Sequence, residues 1–318
     1  MLLLSSLSSV YSDLAQKSIL LGDGWPDSAS FCKLLHRETM DNGKPITYSV
    51  PSFSEHGPVV LVTFLRDEIE EESDTTKTEP SSVCRWLQPC LAVFDQFCMQ
   101  ELSDTDTCQW IPALVPHLCI TVFQEHPSFL HNDEQRKNWR EIDTSIVNRL
   151  VHALDTAMLD DADGGSCSSA IPLRLDSLLF TPDGALIAGC IEDREGEDTN
   201  PTTPSPMQRL RRVCTEIAVG VLGGTTSRPK SLLHVTLGRV LSVSVPEYGT
   251  GGGEVSLIER YNRRVLPELV QRLRNEQRDR WSVTYVTLVR NTKWLCEENE
   301  VYWTKQLLER RRKRNIHA

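Results

Sequence analysis

The chain has 318 residues with 44 acidic and 34 basic side chains, a net charge of −10 with histidine neutral, and 39% hydrophobic content. That allows one large domain or two small ones with a sizeable core; no apolar run approaches the ~18 residues that span a bilayer, and the short apolar start lacks the basic region of a secretory leader. The ten cysteines include no Cys-x-x-Cys pair, which argues against zinc fingers and thioredoxin-like sites and for free thiols in a reducing compartment, so an intracellular protein, cytoplasmic or nuclear, is expected.

Residues 1–57 show no strong period and carry turn formers such as Gly22-Asp23-Gly24-Trp25-Pro26, so they are expected as an extension outside the main fold. A β-rich apolar run at 59–65 predicts a buried strand, and the acidic, Thr/Ser-rich stretch 67–82 a loop. Val83, Trp86, Leu87, Leu91, Phe94, Phe97 and Cys98 recur at helical spacing, and a second β-rich run at 114–123 carries His117. The spacing of Ile142, Ile146, Val147, Leu150, Leu154 and Met158 predicts another helix. A loop at 160–169 leads to strands at 171–180 and 185–191, joined by the turn Thr181-Pro182-Asp183-Gly184. Beyond an acidic Pro/Thr-rich loop, Met207, Leu210, Val213, Cys214, Ile217 and Val221 mark a helix that Gly223-Gly224 stops.

A strand at 232–245 carries His234, and a glycine-rich loop follows at 249–253. A helix through Ile258, Tyr261, Val265, Leu269 and Leu273, then strands at 282–290 and 301–303, complete the pattern. Each half sets one histidine strand after a helix, a weak internal repeat that predicts two related lobes. From Val255 onward 15 basic and 8 acidic residues give +7, against −17 for the rest. A basic C-terminal third suits a phosphate-bearing partner, and equally a solvated helix face with a charged tail. The run Arg310-Arg311-Arg312-Lys313-Arg314 fits a nuclear import signal.

By strand alternation His117, Cys119, Thr121 and Phe123 share one face, and His234, Thr236 and Gly238 share another. Each histidine therefore has a thiol or hydroxyl two residues on. Displacement at a phosphodiester needs a base for the nucleophile's proton and an acid for the leaving oxygen. Histidine, with an ordinary pKa near ~6.5, serves as either at neutral pH. Two imidazoles flanking one phosphate suit in-line displacement, the Thr236 hydroxyl can hold a non-bridging oxygen, and no metal or other cofactor is needed. A single strand histidine is more often a satisfied core group; two on matching strands are stronger.

The segment His234-Val235-Thr236-Leu237-Gly238-Arg239 resembles the second signature of the two-histidine phosphoesterase superfamily, which includes RNA 2′-5′ ligase-like proteins, cyclic phosphodiesterases and 2′-5′ oligoadenylate phosphodiesterases. The resemblance extends over about 57–303, including a terminal hairpin at 285–303. It implies an α+β fold of two pseudo-symmetric lobes, each an antiparallel-type sheet with helices, facing across an active groove. It also implies a metal-independent phosphodiesterase acting on 2′,3′-cyclic phosphates or 2′-5′-linked RNA or nucleotides. His117 and His234 match the catalytic pair and Thr236 the second phosphate-binding hydroxyl. At the first, Cys119 stands where the family has Thr or Ser, a weaker donor, and Thr121 could compensate only if the strand bulges. The rival expectation is a non-catalytic RNA- or nucleotide-binding module of the same fold. Expected bounds are an extension at 1–57, the phosphoesterase-like domain at 58–305 with lobes at about 58–140 and 141–305, and a basic tail at 306–318, acting as a monomer away from any membrane.

Other residues weigh less. His126 and His131 near His117 fit no common zinc spacing, and His36, His56 and His152 read as surface or boundary positions. Cys119 as a nucleophile beside His234 would need an activated thiol that nothing adjacent in sequence supplies. The glycine loop lacks the Gly-Lys-Ser/Thr ending of a P-loop. Tyr248 and Tyr285 could stack on a base, Tyr285 equally filling core, and Arg239 should point away from the histidine face toward acidic neighbours.

Overall fold

The computed structural model describes residues 7–21, 25–27, 40–41, 44–45, 57–65, 84–102, 109–126, 137, 139, 141–159, 169–193, 204–223, 228–229, 232–242, 256–292 and 299–307. In chain order these form helix α1 (Leu7–Leu20), a two-residue pair β1 (Met40–Asp41) and β2 (Lys44–Pro45), strand β3 (Val59–Phe64), and helix α2 (Leu87–Gln96), which continues as a π turn, Phe97–Glu101. Then come β4 (Gln109–Pro112), β5 (His117–Gln124), α3 (Thr144–Leu159), β6 (Ile171–Phe180), β7 (Ala185–Glu192), α4 (Pro206–Leu222), β8 (Arg228–Pro229) and β9 (His234–Ser242). Helix α5 is built of Leu257–Arg260, a π turn Tyr261–Val265 and Leu266–Asn275, and is followed by β10 (Arg280–Val283), β11 (Tyr285–Asn291) and β12 (Asn299–Gln306).

The fold is α+β, with helices on one antiparallel sheet of strand order β10-β6-β7-β9-β5-β3-β11-β12. Off that path β4 pairs with β9 and β8 with β5. The hairpin β11–β12 expected at the C-terminal end is present, yet it lies beside β3 at one edge while β10 lies at the other. Sheet neighbours therefore do not divide at residue 141, as the expected lobe bounds would have it.

Both faces of the sheet are covered in part, and the burial of each strand follows. On one face the main core gathers Phe94 and Phe97 of α2, Leu150 and Leu154 of α3, Leu210 and Cys214 of α4, and Leu266 and Leu273 of α5 against Leu61, Leu118, Val235 and Leu237. The other face carries two smaller clusters. Tyr11 of α1 packs with Leu179, Ala185 and Ile187 over β6 and β7, and Val60, Val62, Phe64, Val122 and Val289 cluster over β3, β5 and β11. All six residues of β3 are buried, because its odd positions face one core and its even positions the other. This is why its sequence reads as a continuous apolar run rather than an alternation.

Local rules hold at the boundaries. Ser205 and Gln208 form a capping box at the start of α4, the Ser205 hydroxyl accepting from the Gln208 amide at 3.1 Å and the Gln208 side chain accepting from the Ser205 amide at 2.9 Å. The turn between β6 and β7 needs a left-handed residue, and Gly184 takes φ +85° there. The N-terminal region departs from expectation. Tyr11 is 1% exposed, and Trp25 lies in the main core, edge-on to Phe97 and Phe180, with its indole N–H donating to the Thr181 carbonyl at 2.9 Å. These residues belong to the fold and are not an appendage, since α1 supplies the apolar cover that one face of β6 and β7 otherwise lacks.

Six described cysteines are free, five of them buried and Cys119 partly exposed. Burial pushes the Cys90 thiol up to about 12. No helix among the described residues is long and apolar enough to cross a membrane.

Candidate functional site

His117 and His234 begin β5 and β9, two strands that are neighbours in the sheet and pair antiparallel at Leu118↔Val235. Continued by one residue each way, that register sets His117 beside Thr236 and Cys119 beside His234. Leu118 and Val235 are fully buried in the main core, so all four of those neighbours project from the opposite face. All four are partly exposed, in the strip between the α1 cluster over β7 and the valine cluster over β3. The two histidines are diagonal partners, a relation that ordinarily spans about 7–8 Å.

Neighbouring groups orient the first ring. His117 Nδ1 lies 3.0 Å from the Val115 carbonyl. A carbonyl only accepts, so in this contact Nδ1 carries the proton. The Phe64 ring stands edge-on to the imidazole with centroids 6.2 Å apart. Beside His234, Gly189 of β7 is its paired residue, and a Cβ on Gly189 would meet the Tyr11 ring at 2.7 Å. Tyr11 holds its place by donating its hydroxyl to the Leu233 carbonyl at 2.6 Å. Burial pushes that hydroxyl well above the usual phenol range, so it remains a donor.

Each histidine strand bulges at the third residue after its histidine. In β5, Val62 faces Cys119 while Leu61 faces Thr121, leaving Ile120 as the extra residue; in β9, Ile187 faces Thr236 while Leu186 faces Gly238, leaving Leu237. The bulges correct the simple alternation. Thr121, 3% exposed, and Phe123 lie on the main-core face, away from His117 and Cys119. The strand does bulge there, but the bulge carries Thr121 away from the site. Gly238 likewise turns to the main core, where a Cβ would lie 2.3 Å from the Phe94 ring. Arg239 is thereby returned to the histidine side, paired through β7 with Ala185 of the α1 cluster, and is held by Asp183 at 2.7 Å. Its acidic partner was expected; its direction was not.

Cys119 packs at the edge of the valine cluster with Val115 and Tyr285, and its thiol lies 3.7 Å from the Thr121 carbonyl. Tyr285 donates its hydroxyl to the Phe64 carbonyl, so it serves packing here. His152 is exposed on α3, and His126 follows β5 as a partly buried loop residue. His36, His56, His131, Tyr248, the glycine loop and the basic tail lie outside the described residues.

One residue next to the site was missed. Arg211 of α4 reaches between the histidine strands, its Nε–H donating to the Ile120 carbonyl at 3.1 Å and an Nη2–H to the Leu232 carbonyl at 2.8 Å. Its signal was a charge set on the apolar stripe of α4, one turn from Met207 and three residues before Cys214. No family model and no curated protein sequence matches the chain.

Proposed function

We propose that the chain is a metal-independent phosphodiesterase acting on 2′,3′-cyclic phosphates or 2′-5′-linked RNA or nucleotides. One observation carries this reading: His117 and His234 stand as a diagonal pair on the same face of adjacent antiparallel strands, each with Cys119 or Thr236 across from it. One imidazole takes the proton of the attacking water, the phosphorus–oxygen bond to the leaving ribose oxygen breaks, and the other imidazole protonates that oxygen. Thr236 donates to a non-bridging oxygen while charge builds there.

The two-lobe arrangement belongs to the same proposal. Along the main path of the sheet four strands stand on each side of the β9–β5 seam, and each histidine strand bulges at the corresponding residue. This supports two related halves meeting at the seam, with α1 part of the unit. The free thiols support an intracellular setting. A second reading, a binding module of the same fold without efficient turnover, draws on Cys119, whose thiol donates more weakly than the hydroxyl of its counterpart Thr236. Incubation with 2′,3′-cyclic nucleotides and 2′-5′ dinucleotides in excess chelator separates the two. Hydrolysis is expected, whereas binding without turnover favours the second reading. Activity lost to chelator and restored by zinc or manganese defeats the metal-free mechanism.

A further inference from the structure

We infer that Arg211 makes the histidine face an anion site, supplying a fixed positive charge at the end of the β5–β9 ladder next to Cys119 and His234. The inference rests on the reading that this face is the functional surface, but not on the reaction performed there. It begins with a backbone problem. Beyond Leu118↔Val235 the two strands part, because β5 goes on to pair with β8 through Thr121 and Val122. At the point of separation the carbonyls of Ile120 and Leu232 both look into the gap, one from β5 and one from just before β9. Two acceptors across a gap cannot bond each other, and burial makes an unpaired carbonyl costly. The Arg211 guanidinium answers both with Nε–H and Nη2–H, standing in for a missing rung of the ladder.

A neutral donor such as glutamine could also bridge two carbonyls, so the charge calls for a separate account. No carboxylate among the described residues forms an ion pair with Arg211. Glu192 is within electrostatic range, but its Oε1 already accepts from the Met207 amide at the start of α4, at 2.7 Å. Burial is the chief influence on the guanidinium and lowers its pKa, with Cys119 the next strongest neighbour and Tyr11 after it. Arginine stays charged even so. The result is a partly desolvated cation that forms no ion pair among the described residues and whose stronger electrostatic neighbours include a residue of the histidine face. A phosphate held between His117 and His234 would complete its charge balance. Coulomb attraction across several ångströms of low-dielectric protein is strong enough to matter there. Arg211 thus acts as a positioning residue: it sets the spacing of the histidine strands and biases the groove toward anions.

Inorganic phosphate is the probe, titrated by calorimetry into the full chain, Arg211→Gln and Arg211→Lys. The wild type should bind it; Arg211→Gln, which keeps donors but loses charge, should bind about tenfold more weakly or worse, and Arg211→Lys should lose less than Arg211→Gln. Equal affinity for phosphate in wild type and a folded Arg211→Gln overturns the inference, as does a wild type that binds no phosphate. If Arg211→Gln does not fold, the Nε resonance of ¹⁵N-arginine-labelled wild type decides: the Arg211 signal should move on adding phosphate, and a static signal with phosphate bound refutes the role. Phosphate binding that depends on Arg211 in a protein that hydrolyses no diester refutes the enzymatic reading and leaves this one standing.

Discussion

His117 on β5 and His234 on β9 occupy matching places, yet the two strands are braced differently. Each has a half-exposed partner two residues on and a bulge one residue further. Beyond the bulge β5 places Thr121 against Leu61, whereas β9 places Gly238 under the Phe94 ring. The β9 side is the more tightly built: Tyr11 closes on Gly189, and Asp183 grips Arg239. The β5 side is softer, with Cys119 leaning on a valine cluster and a weak thiol contact. Two strands can thus present the same pair of imidazoles while being braced by different neighbours.

The largest effect should come from removing either imidazole. His117→Ala and His234→Ala should each lower turnover by ~10²–10⁴-fold with the fold intact, the usual loss of a general acid or base. The exposed His152→Ala is the control. If His117→Ala keeps full rate, the pairing of the two strands has no catalytic meaning. The rate should also fall at both ends of the pH range, since one ring must be neutral and the other protonated.

Next come the close approaches at a glycine of β9 and a glycine of its neighbour β7. Gly238→Ala would press a methyl group into the Phe94 ring from 2.3 Å, and Gly189→Ala into the Tyr11 ring from 2.7 Å. Overpacking of this kind typically destabilises by roughly 1–3 kcal/mol, a fall in Tm of about 2–4 °C per kcal/mol for a domain of this order of size. Gly238→Ala should be the worse of the two, because Phe94 is locked in the main core while α1 can shift on the surface. A thermal melt that ranks them the other way would show α1 to be the more rigid element.

The pair of histidines was legible because alternation and the residue two places on were both local. The seam register joining them was not, since it depends on partners more than a hundred residues away. The bulges at Ile120 and Leu237 escaped for the same reason: a bulge is a mismatch with the neighbouring strand, and nothing in His-Leu-Cys-Ile-Thr announces one. Strands β4 and β8 are short and contain Pro112 and Pro229, the kind of residue that argues against a strand when read alone. Helix α1 did carry a pattern, with Leu7, Tyr11, Leu14 and Ser18 at helical spacing, but the turn formers that follow drew attention to a loop. The α+β class, the helices and the terminal hairpin came through because their periods are long and regular.

On the soft side, Cys119→Thr should raise turnover, by up to about tenfold if the hydroxyl gains one charge-assisted bond to a phosphate oxygen. Cys119→Val has the same shape and no donor, so it should give no increase. A rise in both variants would assign the effect to packing against Val115 and Tyr285 instead. A folded Cys119→Thr protein well below the parent rate would remove this position from the phosphate contacts.

The smallest effect tests the ion pair that braces β9. Asp183 is partly buried, which by itself would raise its pKa, but Arg239 beside it and the Thr181 hydroxyl at 2.5 Å together hold the carboxyl below the usual carboxylate range. A pKa depressed on folding means that the unfolded chain binds the proton more readily. The pair's contribution is therefore complete above the ordinary aspartate pKa of about 3.9 and drains away as pH falls through the lower folded value. Asp183 is 48% exposed and Arg239 only 11%, so solvent screens the pair and its worth should stay below about 1 kcal/mol. Asp183→Asn should then lower Tm by a few degrees at pH 7, with the gap between variant and parent closing in acid. A gap that persists unchanged at the acid end would mean that Asp183 acts through its hydrogen bonds to the turn and not through its charge. In that case the firmness of β9 would come from the Thr181–Gly184 turn, and Arg239 would be its passenger.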